Sequence, residues 1–138
     1  MPMVVADEEG LLFGYYLQAF GRVPFETCAI VSAGPYLALK FGYPNDEVLG
    51  GHRYAPLGLA AYEAYEVLDS EWIDEMRTAN RVHRQHSDAL FARYRHFVFA
   101  FHDSVLEFVA SRAPEVKCLR GELRGLLFAE VGGQTKNG

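Results

Sequence analysis

A histidine, an acid and a hydroxyl stand side by side at His102-Asp103-Ser104, with Glu107 just after them and His96 just before. An imidazole beside a carboxylate can move protons near neutral pH, because neighbours readily shift either group. A hydroxyl in the same cluster brings nucleophilic catalysis to mind. Contiguity argues against a relay, since adjacent residues at a bend point in different directions and triads are assembled from distant parts of a chain. The plainer account makes Asp103 and Ser104 turn formers whose side chains bond the local backbone. His102 with Asp103 or Glu107 is the catalytic set to be tested against that account.

Three further groups of residues merit the same comparison. His83 and His86 are three apart where a helix is expected to end, a spacing that can share one metal if a third ligand arrives. Arg81 and Arg84 flank them and would repel a cation, and neither Cys28 nor Cys118 has ligand spacing, so no metal and no cofactor are expected. Gly50-Gly51-His52 opens a loop rich in Gly and Pro, yet the chain has neither a GxGxxG nor a GxxxxGK[ST] phosphate cradle. Eight tyrosines, several beside loops, suit a binding surface as well as ordinary sheet packing. With His96 and His52, Tyr54 and Tyr62 form the expected ligand-binding set.

These side chains need a scaffold, and the run from Arg95 to Ser111 supplies one. A bend at Asp103-Ser104 sets Phe101 against Leu106, Phe99 against Phe108 and Phe97 against Ala110, all on one face of a hairpin. The opposite face carries His96, Val98, Ala100, His102, Val105, Glu107, Val109 and Ser111, a mixed set with Glu107 opposite Ala100, because strand side chains alternate with period two. Strands are also expected over Leu11–Phe20, where a short helix is the alternative, and over Phe25–Ser32, Tyr36–Phe41 and Ala61–Leu68, with a last one near Leu126-Leu127-Phe128. The second and third of these are joined by Ala33-Gly34-Pro35, strong turn chemistry that predicts another hairpin. Asn45 caps a short helix from Asp46, and Ser70 begins the main helix, with acids in its first turn and arginines toward its end. The apolar stripe Trp72, Met76, Ala79 is placed against the Phe97-Phe99-Phe101-Phe108 side.

The fold class is therefore α+β: a mainly antiparallel sheet of five to seven strands, with one main helix on one face. Residues 1–131 are expected to form one domain and 132–138 a flexible tail.

Composition narrows the function. The net charge is −5, which disfavours binding to nucleic acid. The longest uncharged run, Thr27–Leu39, is broken by Gly34-Pro35 and falls short of the roughly 20 residues of a membrane helix. No basic, apolar leader opens the chain, and two cysteines in apolar surroundings fit a reducing compartment. A cytoplasmic binding domain for a small molecule or a protein surface, not catalytic, is the first expectation, with homodimerisation through its sheet edges. The alternative is a small hydrolase or isomerase using His102, its cleft closed by the His52–Leu59 loop. A metal-assisted version would recruit His83 and His86.

Overall fold

The computed structural model describes residues 1–17 and 26–134. Its strands, in chain order, are β1 Met3–Ala6, β2 Leu11–Tyr16, β3 Thr27–Gly34, β4 Tyr36–Gly42, β5 Ala64–Val67, β6 Arg95–Ala100, β7 Val105–Ala110 and β8 Glu115–Arg120. The helices are α1 Glu71–Asn80, α2 Asp88–Phe91 and α3 Leu123–Gln134, with 3₁₀ turns at Asp46–Gly51 and Ala55–Leu57. The α+β class and the antiparallel pairing hold. The details do not: eight strands form two sheets of four, and α3 is as substantial as α1. By its contacts the chain divides into two compact units, Met1–Pro35 with Pro114–Gly138, and Tyr36–Ala113. Among the described residues no helix is long and apolar enough to cross a membrane.

In the first unit the sheet order is β1-β2-β3-β8, antiparallel throughout. The Asp7 carboxylate accepts from the backbone N–H groups of Glu9 and Gly10 and shapes the β1–β2 turn. Leu123 and Leu127 of α3 bury against Leu12, Cys28 and Ile30. Gly14 permits this close approach, since a Cβ there would sit 2.7 Å from Leu123 Cδ1 and 3.1 Å from the Ala29 carbonyl. The Leu126-Leu127-Phe128 run is helical where a strand was expected. Leu123 and Leu127 supply the i, i+4 spacing that puts it on the core. Gly132 and Gly133 belong to the same helix, which thus takes in the start of the expected tail. Residues 18–20 and Phe25 of the expected strands, and 135–138 of the tail, lie outside the described residues.

In the second unit the order is β4-β7-β6-β5. The hairpin expected between β3 and β4 is not formed: β3 pairs with β2 and β8, and β4 with β7. Only Pro35 separates the two strands, fewer than the two loop residues of a tight hairpin.

The β6–β7 hairpin does form, with its bend one residue earlier than expected, at His102-Asp103. The Phe101 N–H donates to the Ser104 carbonyl at 2.8 Å and closes it. Every pair consequently shifts by two: Phe97 faces Phe108, Phe99 faces Leu106, and Val98 rather than Ala100 faces Glu107. An even shift leaves each side chain on its expected face. The Phe97 and Phe108 ring centroids lie 5.3 Å apart, and Phe99 stacks on Phe108 at 6.1 Å.

Helix α1 packs on the opposite face from the one expected. Its Trp72 meets His96 edge-on at 5.1 Å, and the Lys40 ammonium sits 4.0 Å above the indole. An indole suits a mixed polar face better than a wall of phenyl rings, because imidazole and ammonium both find its electron-rich system.

Candidate ligand-binding site

The mixed face of β6 and β7 carries the chemistry of the second unit. Alternation puts His96, Val98 and Ala100 of β6 on one side with Val105, Glu107 and Val109 of β7. Two segments cover them. The first runs from the 3₁₀ turn at Asp46, capped by Asn45 whose side chain accepts the Val48 N–H, through His52 and Tyr54 to Leu59. The second is α1, entered through Asp69 in the left-handed region at φ 52°. Leu49, Tyr54, Val98, Ala100 and Val105 bury together beneath the first segment.

A chain of buried polar groups crosses this interface. The Ser70 hydroxyl caps α1 by accepting the Ile73 N–H at 3.3 Å, and it lies 2.7 Å from His96 Nδ1. The His96 proton rests on Nε2, which faces a carboxylate that can only accept, so the Ser70 hydroxyl donates to Nδ1. Nε2 in turn lies 2.9 Å from Glu107 Oε1. On the other side, His52 Nδ1 accepts the Tyr54 N–H at 3.1 Å, so its proton also rests on Nε2, 3.4 Å from Glu107 Oε2. Each carboxylate oxygen therefore faces an imidazole N–H.

Burial pushes the Glu107 pKa up, but His96, His52 and Lys40 outweigh it and hold the carboxyl below its usual range. Lys40 reaches the group because it sits opposite Glu107 on β4.

This tautomer pattern does not suit a metal: an imidazole whose Nδ1 accepts a backbone N–H has no free lone pair on Nε2. Ser70 also resembles a nucleophile on paper, yet it is 6% exposed and its oxygen holds the helix cap.

Tyr54 joins the network to a hollow. Its ring lies 5.3 Å from His52 and 5.6 Å from His96. Its hydroxyl is buried beside Ser70 but makes no hydrogen bond of good geometry among the described residues. Burial raises the phenol pKa, with Arg53 opposing, so the group stays neutral. Beside it opens a cleft of about 290 Å³ whose apolar wall comes from Tyr54, Leu57, Leu59, Tyr65, Val67 and Val98. A larger hollow of about 400 Å³ in the first unit is spanned by Lys117 and Glu130, whose charges pair with each other at 3.2 Å.

The sequence-derived sets are thus divided differently. His96, His52 and Tyr54 lie together, and Glu107 joins them. His102 and Asp103 lie instead at the exposed hairpin tip, bonded to each other at 2.8 Å. Asp46 is 3.8 Å from His102 Nε2, and the Tyr62 hydroxyl donates to Asp46 at 2.9 Å. Tyr62 therefore goes with His102, not with the cleft. The Asp103 hydrogen bond, with Asp46 behind it, raises the His102 pKa.

His83 and His86 do not converge with His102. His86 is held by Asn80 and Asp88, and the Gln85 N–H donates to His83 Nδ1. Among the described residues no three His, Cys, Asp or Glu side chains gather to hold a metal. Ser70, Trp72 and Lys40 were not foreseen as members of the site. Ser70 was visible only as a helix cap, and the other two depend on strand order and helix placement.

A cleft with largely apolar walls thus lies beside the buried chain of His52, Glu107, His96 and Ser70. No family model, curated protein or solved structure matches the chain.

Proposed function

We propose that the Tyr36–Ala113 unit is a non-catalytic binding domain that takes a small molecule into the cleft beside Tyr54. The observation that carries this is the cleft itself, about 290 Å³ with mostly apolar walls. That volume is at the lower edge of the roughly 300–1,000 Å³ typical of small-molecule sites. The buried chain from His52 through Glu107 to His96 and Ser70 pins the covering segment and α1 to the sheet. The cleft is thereby shaped before a ligand arrives, which lowers the ordering cost of binding.

A thermal-shift screen of a fragment library tests this. A ligand at 100 times its Kd adds about 2.7 kcal/mol, enough to move the melting point by several degrees. Hits should stabilise the wild type and lose their effect in Val67→Trp and in Leu59→Trp, each of which fills the cleft. Hits indifferent to both substitutions would place binding elsewhere and sink the proposal.

A second reading, an acid/base enzyme working through His102 and Asp103, draws on one observation. The imidazole is exposed and held between two carboxylates, which raises its basicity. Turnover of an activated ester, following the titration of His102 and absent from His102→Gln, would support it. Equal rates in both proteins would remove it.

A further inference from the structure

The cleft also says what kind of molecule it takes, a step that rests on the binding proposal above. Among the described residues, the one charged side chain lining it, Glu66, already has a partner, as do Arg53 and Glu107 beside Tyr54. The Glu66 carboxylate is gripped by Arg95 through two hydrogen bonds, at 2.7 and 2.8 Å, which hold its pKa below the usual range. Arg53 is bonded to Glu71, and Glu107 lies between two imidazoles. The Tyr65 hydroxyl is used in both directions, donating to Glu63 at 2.7 Å and accepting the Ala60 N–H at 3.0 Å. A charged ligand would surrender hydration and find no free counter-charge among these groups, and desolvation without pairing is strongly unfavourable. The wall meanwhile offers two tyrosines and aliphatic side chains, surfaces against which a flat ring packs well.

We infer that the ligand is an uncharged molecule with an apolar body about the size of one fused ring system, and that the cleft rejects charged relatives of the same shape.

Indole, indole-3-acetate and tryptamine share one ring and differ in charge at neutral pH. Their binding to the full chain and to Val67→Trp and Leu59→Trp is measured by calorimetry and by saturation-transfer NMR. Indole should bind the wild type, both analogues should bind at least about tenfold more weakly, and the cleft-filling variants should bind none of them well. An analogue within tenfold of indole, with binding still lost in the variants, overturns the exclusion of charge and leaves the binding proposal standing. No binding by any of the three, or binding unchanged in the variants, overturns both.

Discussion

Glu107 stands to lose two partners at once. Replacing it by alanine leaves the N–H groups of His52 and His96 facing a void, and unpaired buried donors are costly. Glu107→Ala should cost about 2–4 kcal/mol, read from urea midpoints at neutral pH. The pH dependence has a definite sign. The folded carboxyl titrates below its ordinary value, so its stabilisation is complete above the unfolded pKa, and it fades as pH falls through the folded one. Glu107→Gln should therefore flatten the acid limb of the stability curve below about pH 4.3, and an unchanged slope would contradict the assignment. Tyr54→Phe runs the other way. Deleting a buried hydroxyl that makes no hydrogen bond of good geometry should leave stability unchanged or raise it by up to about 1 kcal/mol, whereas a loss of that size would mean the hydroxyl is bonded. At the hairpin tip, Asp103→Asn should lower the His102 pKa, as followed by NMR titration of the ring protons. The residues that alternation alone places, His96 and Glu107, were legible as neighbours of one face. Their true partners were not, because Lys40 reaches Glu107 only through a strand order that joins distant parts of the chain.

Among the elements, α1 is held by the residue that starts it. Ser70→Ala removes both the cap to Ile73 and the donor to His96 Nδ1, and should cost about 1–3 kcal/mol. Ser70→Thr keeps the hydroxyl and should recover most of that loss in the same denaturation assay. This helix start was plain from sequence, since a serine before acids and an apolar stripe is local chemistry. Where the helix lies was not local, and it went to the mixed face because its indole meets an imidazole and an ammonium there. Helix α3 departs from the expected strand for a related reason: Leu126-Leu127-Phe128 is too short an apolar run to reveal its period. Its docking depends on Gly14, where an added methyl would overlap Leu123 and Ile30. Gly14→Ala should destabilise the first unit by about 1–3 kcal/mol, seen as lost hydrogen-exchange protection along α3.

For the whole molecule, chain order dictates how folding must proceed. Thr27 pairs with Arg120, so the sheet of the first unit cannot be completed until nearly the full chain is present. Folding should accordingly fall in the millisecond-to-second range of topologies dominated by non-local pairing, which stopped-flow mixing can measure. The two-residue offset in the β6–β7 hairpin has a consequence of its own. Sliding one strand by two places keeps every phenylalanine on its side, so the aromatic wall alone tolerates both alignments. The same slide would carry Glu107 about 7 Å along the strand from His96, at roughly 3.4 Å per residue. Greasy surfaces are forgiving about alignment, and a lone acid between two bases is not. That cluster acts as a notch that lets the ribbon zip up in a single setting. The His96→Leu, Glu107→Leu double variant should lose that discrimination, and a slipped form should emerge in its spectra.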